Sequence, residues 1–510
     1  MENYERDQWK SRAGFIFSTV GAAVGLGNFW RFPFMAYQNG GGAFILPYFF
    51  ALLTAGVPLM IMEFSFGHKM RGGATLSFAK LGKKYEFIGW WQTMVPLIVM
   101  CYYSTIIAWS LNYLVFAITQ AWGADPNAFF GGKFLGVSSG PWDLGGFRWN
   151  IAAGVIIVWL LNYTITKKGI SGGIEKACKV MTPLLAILMV IITIRGLTLP
   201  GAAYGLNWFL KPDFSKIMNA KVWIAAYAQV FFSTTLAVGV MIAYASYLSE
   251  KSDIVNNSFI TVFSNSSFDF MAGLAVFSIL GYVSVASGVP FEEVATSGAG
   301  VAFVAFPKAI SMLPMPKFLQ SIFGIMFFFA LFIAGISSSI SMLESFATAA
   351  LDKYNMSRES IITRISIGGF LGSMFIATGA GVHILDIVDH FVGNYGIALL
   401  GLIEAVLLGY VYGTDKIKEH ANRYSDFRIG WWLDFCVKYL TPAILGYMFI
   451  QNIINEFKAP YGGYPMSAVV ILGWGAAIGM LVAALYLSSR PWTKMDPYLQ
   501  TDKKVVSEND

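Results

Sequence analysis

The sequence predicts an all-α polytopic membrane protein, and composition, apolar run length and loop length support that prediction. Of the 510 residues, 56% are hydrophobic and only 13% are charged, and the mean hydropathy is +0.60. Uncharged apolar runs of about 20 residues, the length that crosses a bilayer, recur along the chain. Short loops join them and leave no room for a separate soluble domain. We therefore expect one transmembrane domain over residues 1–510.

The apolar runs define twelve predicted spans, numbered in chain order. Each is long enough for a membrane-crossing helix. They cover about residues 14–36, 42–68, 88–120, 149–165, 174–195, 222–248, 255–285, 318–352, 358–377, 383–413, 430–455 and 464–489. The first run is preceded by acidic as well as basic residues and has no small-residue cleavage site, so we expect it to be retained.

Basic residues are concentrated in alternate connections between the spans. If the N-terminus is inside, the inside connections carry Lys69, Arg71, Lys80, Lys83, Lys84, Lys167, Lys168, Lys176, Lys353, Arg358, Arg364, Lys416, Lys418, Arg423 and Arg428. The outside connections are poorer in Lys and Arg. The positive-inside rule then predicts cytoplasmic termini in the cell's inner (plasma) membrane. Since topology explains the net charge of +6, we expect a lipid bilayer rather than nucleic acid as partner.

The reactive side chains are too scattered to predict catalysis. Cys101, Cys178 and Cys436 lie in separate segments without CxxC spacing, and the four histidines are equally dispersed. Neither a disulfide framework nor a metal cluster follows from this arrangement. A polytopic membrane enzyme is the rival class, but the spans contain no paired nucleophile and base. We therefore predict a protein that is not an enzyme and has no organic cofactor.

Two long connections are predicted on the outside, at about residues 121–148 and 286–317. Both contain Gly, Pro and aromatic residues, as in "GADPNAFFGG" and "GVPFEEVATSGAG". The second either holds a short helical lid or is an ordinary surface loop.

Helix-breaking residues interrupt the first and sixth spans. The first contains "GAAVGLGNFWRFP" from Gly21 to Pro33, and the sixth contains Ser233, Thr234, Thr235 and Gly239 in "QVFFSTTLAVGVMIAYASY". Close helix packing through Gly21 and Gly25, or hydroxyls bonding to the preceding turn, would explain part of this pattern. Interrupted helices at matching positions of two five-helix repeats instead indicate a transporter's binding site, where freed backbone groups bind ions and substrate.

Four motifs, "GAAVGLGNFWRFP", "NGGGAFILPY", "VWIAAYAQVFF" and "GISSSISMLE", resemble the neurotransmitter:sodium symporter family, in particular its bacterial amino-acid transporter branch. The resemblance covers at least the first ten spans. It implies a LeuT-type fold of twelve helices with unwound helices 1 and 6. The five-plus-five inverted repeats would occupy about residues 14–195 and 222–413, with peripheral helices at about 430–489.

The resemblance implies two sodium sites. The first would use the Ala23 carbonyl, the side chains of Asn28, Ser233 and Asn265, and the substrate carboxylate. The second would use the carbonyls of Gly21, Val24 and Ala334 with the hydroxyls of Ser337 and Ser338. Oxygen ligands suit a hard cation. Close helix packing is the alternative explanation for the two serines.

The family pattern also implies a substrate pocket between the broken helices. Its residues would be Ala22, Gly25, Leu26, Gly27, Val99, Tyr103, Phe232, Ser233, Thr235, Val238, Ser338 and Met342. Tyr103 would bind a substrate carboxylate and Phe232 would close above it. Monoamine carriers of the family have Asp where this chain has Gly25, which leaves room for the substrate's own carboxylate.

The side-chain end of the implied pocket, at Ala22, Val238 and Met342, is apolar and uncharged. We therefore predict sodium-coupled import of a neutral amino acid that is hydrophobic and medium to large. One methylene is worth only about 1–3 kcal/mol, so the exact substrate stays open. A small zwitterion such as an amino sulfonate or betaine, and a sensor that binds without transporting, are the alternatives.

Charged residues are assigned to gates by the same resemblance. Arg31 and Asp389 would pair on the outer side, and Arg6 and Asp352 on the cytoplasmic side. Snorkelling and loop solvation are the alternative roles.

The resemblance also suggests roles for three of the acidic residues within the predicted spans. Glu63 would tether the unwound segments, and Glu404 could act similarly. Asp269 falls where chloride-dependent members have serine in an anion site whose other positions match Tyr48, Gln229 and Ser233. We predict that Asp269 replaces chloride and could take a proton on the return step, a buried helix-packing acid being the alternative.

Overall fold

The computed structural model describes residues 6–294, 298–494, 497 and 498. These residues form helices and connecting loops, apart from an isolated antiparallel bridge between Phe147 and Thr378.

Nine helices in the described part of the chain are long and apolar enough to cross a membrane, and a bent pair adds a tenth. The pair is Arg12–Ala23 with Leu26–Gln38. The nine are Gly42–Met70, Lys83–Thr119, Trp149–Thr166, Ile170–Leu197, Ile254–Ser287, Lys317–Lys353, Gly381–Asn422, Trp431–Gly463 and Met466–Ser489. These helices confirm the prediction of an all-α polytopic membrane protein.

Predicted spans six and nine also coincide with helices. Span six is divided into Ala220–Ser233 and Val240–Ala245, and span nine is Arg358–Ile376. Helical structure therefore occurs at each of the twelve positions predicted from the apolar runs.

The break in span one is capped by its own sequence. Val24 and Gly25 are extended, and the two halves of the span meet at 54°. The Asn28 Oδ1 accepts the Gly25 N–H at 2.8 Å, which satisfies a backbone donor at the start of the second half. The Gly and Asn residues of the motif therefore create a stable helix end within the bilayer.

The break in span six, residues Thr234–Gly239, has an unusual backbone. Thr235, Ala237 and Gly239 have φ of 55°, 62° and 69°. Glycine tolerates this left-handed region, whereas a residue with a Cβ adopts it at a cost. The segment therefore cannot continue the helix that ends at Ser233.

The two long connections pack against the helix bundle. The first contains a helical stretch over 126–135, and the second contains the helices Phe291–Val294 and Val301–Met312. The Phe303 ring stacks on Phe130 with centroids 5.4 Å apart, so the two connections contact each other. The helical alternative for the second connection is thus correct for its described residues; residues 295–297 lie outside them.

The end of the described chain folds back under the bundle. Lys353, at the end of span eight, forms a buried ion pair with Glu86 at the start of span three, at 2.6 Å. The same carboxylate accepts the Trp492 indole N–H at 3.0 Å and the Tyr498 hydroxyl at 2.6 Å. These contacts join both spans to the segment after span twelve.

Candidate functional site at the two helix breaks

Four polar side chains meet beside the two breaks. The Asn28 Nδ2 donates to Asn265 Oδ1 at 3.0 Å and to Asp269 Oδ1 at 2.9 Å. The Ser233 hydroxyl donates to Asp269 Oδ2 at 2.9 Å and accepts from Asn265 Nδ2 at 2.8 Å. All four residues are buried. Spans one, six and seven thus bring together the three side chains predicted for the first sodium site, and place Asp269 in direct contact with two of them.

Asp269 has a further partner from span two. The Tyr48 hydroxyl donates to its Oδ2 at 2.5 Å. Gln229 lies one helical turn before Ser233 and is buried, with neither amide atom hydrogen-bonded to a described residue. Three positions of the predicted anion site, Tyr48, Ser233 and Asp269, are therefore connected by hydrogen bonds. The side chain at the fourth, Gln229, has no hydrogen bond to a described residue.

Span eight approaches the first half of span one at the residues predicted for the second sodium site. A Cβ on Gly21 would lie 3.3 Å from the Ser337 Cβ, so the glycine allows this close approach. The Ser337 hydroxyl donates to the Ala334 carbonyl at 3.1 Å, and the Ser338 hydroxyl donates to the Ala22 carbonyl at 3.0 Å. The Ala334 carbonyl and the hydroxyls of Ser337 and Ser338 thus lie in one region. The Ser338 hydroxyl, however, bonds to the carbonyl of Ala22, which was not among the predicted ligands.

Thr182 was missed by the sequence prediction. Its Oγ1 would lie 2.8 Å from a Cβ on Gly21, and it donates to the Phe17 carbonyl at 2.8 Å. A threonine within an apolar helix usually bonds to its own preceding turn, so the sequence gives no signal for a contact with another span.

The predicted carboxylate end of the pocket lies at Gly25. The Tyr103 hydroxyl accepts the Leu26 N–H at 3.0 Å. A Cβ on Gly25 would lie 2.7 Å from this hydroxyl and 3.3 Å from the Ser338 Oγ. A side chain at position 25 would therefore fill the space between spans one, three and eight.

The remaining pocket residues lie on the same helix faces. Val99 precedes Tyr103 by four residues, and Met342 follows Ser338 by four, which places each pair on one face. Thr235 donates from its hydroxyl to the Ala22 carbonyl at 3.3 Å and so joins the two breaks. Val238 lies in the unwound segment of span six, next to Gly239.

The outer closure, defined as Arg31, Phe232 and Asp389, differs from the prediction. The Arg31 guanidinium lies over the Phe232 ring, with Cζ 3.6 Å from the centroid. A Cβ on Gly27 would lie 2.9 Å from this ring, which therefore covers the pocket residue Gly27. Asp389 acts electrostatically on Arg31 but accepts the Tyr102 hydroxyl at 2.6 Å. The predicted direct pair between Arg31 and Asp389 is not formed, because each group has another partner.

The inner closure, defined as Arg6, Ser246 and Asp352, matches the prediction. Arg6 donates to both oxygens of Asp352, at 2.6 and 3.4 Å, and to the Ser246 hydroxyl at 2.8 Å. The Gly73 N–H also donates to Asp352, at 2.7 Å. Burial alone would lower the pKa of Arg6, but the Asp352 carboxylate raises it above its ordinary value, so the guanidinium is charged.

Glu63 contacts the unwound part of span six. Its Oε1 accepts the Ala237 N–H at 2.7 Å, which agrees with the span-six half of the predicted tether; Glu63 has no hydrogen bond to span one among the described residues. Glu404 accepts from the Gln92 amide at 2.6 Å and has no hydrogen bond to either break among the described contacts. Like Glu63, it is buried within a span, but it does not share the hydrogen bond to an unwound segment.

Sequence comparisons agree with this arrangement. The family model for the sodium:neurotransmitter symporter family matches residues 6–128 and 123–494. The chain belongs to the sodium:neurotransmitter symporter family. Its relatives include an uncharacterised sodium-dependent transporter of Methanocaldococcus jannaschii, 42% identical over 92% of this chain and 95% of the relative. The human sodium- and chloride-dependent GABA transporter 2 is 31% identical over 94% of this chain and 84% of its own length.

Family membership confirms the resemblance found in the four motifs. It makes the chain a sodium-dependent symporter in a family of transporters, with a small-molecule substrate and a membrane environment. In such a protein sodium is a co-transported ion.

Proposed function

We propose that this symporter imports a neutral, medium to large hydrophobic amino acid together with two sodium ions. The observation that carries the proposal is the space at Gly25. Tyr103 and the backbone N–H of Leu26 flank that space, and both can donate to a carboxylate. The second half of span one begins at Leu26, so its helix dipole also favours a negative group there.

The other end of the pocket supports an uncharged side chain. Ala22, Val99, Val238 and Met342 contribute only apolar groups. No charged residue belongs to the proposed pocket, and burying an unpaired charge would be costly. A small zwitterion would satisfy the carboxylate end but leave this apolar wall uncovered, which is why we favour the amino acid over that alternative.

The first sodium ion would lie among Asn28, Ser233, Asn265, the Ala23 carbonyl and the substrate carboxylate. The three side chains are already within hydrogen-bond distance of each other, so rotation of the Asn amides would turn their oxygens toward a cation. The second ion would lie between Gly21, Val24, Ala334, Ser337 and Ser338. Each ion that enters with the membrane potential releases about 2.3 kcal/mol per 100 mV.

Import would proceed by alternating access, with both termini in the cytoplasm of a cell whose plasma membrane holds the protein. The excess of Lys and Arg in the inside connections supports this orientation. The inner and outer closures are both in contact, so the site is shielded on two sides in this conformation. The unwound segments would then act as joints in one core of two inverted repeats, at about 14–195 and 222–413.

Uptake of radiolabelled amino acids into proteoliposomes tests the proposal. We expect uptake of a hydrophobic neutral amino acid with an inward sodium gradient and none when choline replaces sodium. Equal uptake in choline would refute sodium coupling. Saturable binding without uptake would support the sensor alternative, and preferential uptake of betaine or taurine would support the small-zwitterion alternative.

Asn28→Ala should weaken sodium and substrate affinity together. Asn28 belongs to the proposed first ion site, and the substrate carboxylate is a ligand of the same ion. Because thermodynamic coupling is reciprocal, we expect both dissociation constants to rise roughly tenfold, equivalent to losing one charge-assisted contact. Equilibrium binding of labelled sodium and substrate measures both. A change in one affinity alone would show that the ion and carboxylate do not share a ligand set.

Transport should not require chloride, since Asp269 supplies the negative charge beside the first ion site. The human GABA transporter 2 is sodium- and chloride-dependent by name, so the relatives alone would suggest the opposite. We expect equal wild-type uptake in chloride and gluconate. Asp269→Ser should become chloride-dependent, with the unpaired Gln229 amide available to the anion. Wild-type uptake that fails in gluconate would contradict the assignment. If Asp269 takes a proton on the return step, proton export should accompany uptake.

A further inference from the structure

Two buried carboxyl groups lie close together outside the proposed sodium and substrate sites. Glu63 on span two and Glu404 on span ten are each 1% exposed. Gly401, one turn before Glu404, approaches Ala237 so closely that its Cβ would lie 3.5 Å from the Ala237 Cβ. Ala237 in turn donates its N–H to Glu63. Glu63 therefore bonds to the unwound residue that the helix turn before Glu404 contacts, and the two carboxyl groups interact electrostatically.

Each carboxyl group has one satisfied and one unsatisfied oxygen. Glu63 Oε1 accepts from Ala237 at 2.7 Å, and Glu404 Oε2 accepts from Gln92 at 2.6 Å. Glu63 Oε2 and Glu404 Oε1 are buried and have no hydrogen-bond partner in the described part of the chain. Both satisfied oxygens accept from neutral donors, so neither carboxyl group is neutralised by its known contacts.

No Lys, Arg or His from the surrounding described helices acts on either group; the charged neighbour of Glu63 is Glu404. Two adjacent carboxylates in a low-dielectric interior without a cation cannot both stay ionised, because repulsion adds to the cost of desolvation. One proton removes both costs. This proton is bound by the two carboxyl groups together and is not assigned to either residue, as in other closely coupled acids.

We propose that Glu63 and Glu404 form a proton-binding site that holds one shared proton while the inner closure is intact. The inference extends the proposed function, since it assumes that span six moves during alternating access. The proton makes the pair singly charged, and Ala237 N–H stabilises the remaining charge through Glu63. Movement of the unwound segment away from Glu63 would change the proton affinity, which couples proton binding to the position of span six.

The stability of the closed conformation should depend on pH because of this coupling. Proton binding stabilises the closed conformation at pH values below the titration of the pair. That stabilisation is lost as pH rises through it, because two negative charges then repel each other. Glu404→Gln should mimic the protonated group, since the amide is neutral and isosteric and can still accept from Gln92.

Infrared spectroscopy of the full-length protein tests the site directly. The carbonyl stretch of a protonated carboxylic acid is measured in an Asp269→Asn background, which removes the other buried acid of the region. We expect the band at neutral pH in this background and in Asp269→Asn/Glu404→Asp, and its loss in Asp269→Asn/Glu404→Gln. Glu359→Gln, at an exposed carboxylate, is the matched control and should leave the band unchanged. A band that persists in the Glu404→Gln variant, or is absent from the background, would overturn the proposal.

Transport provides the second measurement, without the Asp269 substitution. Sodium-driven uptake by the wild type and by Glu359→Gln should fall more steeply as pH rises than uptake by Glu404→Gln, which retains only the pH dependence due to other groups such as Asp269. A Glu404→Gln profile that matches the wild type would contradict the role of the pair. If the infrared band is lost in the Glu404→Gln variant but no protein shows sodium-driven uptake, the proton site is supported and the proposed import function is wrong. If uptake is normal but the band is unchanged by Glu404→Gln, the import function is supported and the proton site is wrong.

Discussion

The inner and outer closures, which we propose to shield the same site, are held by different interactions. At the inner closure, Arg6 makes a two-oxygen contact with Asp352, which also accepts a backbone N–H from Gly73. At the outer closure, Arg31 lies over the Phe232 ring and makes no direct ion pair with Asp389. The inner closure therefore depends on charge and hydrogen-bond direction, whereas the outer closure depends on an aromatic face. Substitutions that remove charge should affect the first much more than the second.

Arg6→Ala should have the largest effect. It leaves the Asp352 carboxylate with Gly73 N–H as a remaining donor, and loss of contacts to a charged partner costs at least about 2 kcal/mol, or roughly 30-fold in population. The inward-open population should rise accordingly. Cys178 can report this change, because it is buried and its Sγ lies 3.7 Å from the Cβ position of Gly21.

Thiol labelling of Cys178 from the cytoplasmic side, in a background lacking Cys101 and Cys436, measures the effect. Arg12→Ala serves as the control, since Arg12 is also basic and N-terminal but bonds to Asn257. Unchanged labelling in Arg6→Ala would mean that Arg6 contributes only to topology.

Asp352→Asn and Asp389→Asn are matched substitutions that test whether charge matters more at the inner closure than at the outer closure. Asn at 352 keeps the shape but loses the charge that holds Arg6, so we expect roughly tenfold faster labelling of Cys178. Asn at 389 can still accept from Tyr102, so we expect less than about twofold change in substrate release to the outside. Equal effects of the two substitutions on their respective sides would show that both closures rely on charge.

Phe232→Leu should have an effect smaller than that of Asp352→Asn and larger than that of Asp389→Asn. Leucine retains an apolar cover over Gly27 but removes the aromatic face beneath Arg31, which is worth about 1 kcal/mol. Release of bound radiolabelled substrate toward the outside should accelerate about threefold to fivefold. Phe232→Tyr keeps the aromatic face and is the control. Slower release by Phe232→Leu would contradict the proposed stacking role.

The sequence predicted the two breaks because local patterns determine them, whereas the polar residues beside the breaks were assigned to an ion site through the family resemblance. The glycines and Asn28 mark the end of a helix, and the spacing of Asn265 and Asp269 places them on one face. The Arg6–Asp352 pair was predicted through the family resemblance, and the structure contains this ion pair.

Contacts that depend on the relative rotation of distant helices were not predictable. The family resemblance assigned Arg31 to Asp389, but the approach of Phe232 and Tyr102 decides their partners. The contact of Thr182 with span one and the approach of Glu63 and Gly401 to Ala237 likewise follow from three-dimensional packing. Sequence patterns therefore locate the polar residues of the site better than they pair them.

The left-handed residues of span six have a consequence for turnover rate. Thr235 and Ala237 carry a Cβ at φ of 55° and 62°, and each such residue stores about 1–3 kcal/mol in this conformation. The Glu63 and Ala22 contacts hold the segment in place. A ground state raised in this way lies nearer to the barrier for leaving it, so glycine at position 237 would deepen the resting well and slow each cycle. The methyl group of Ala237 is thus expected to increase the turnover rate.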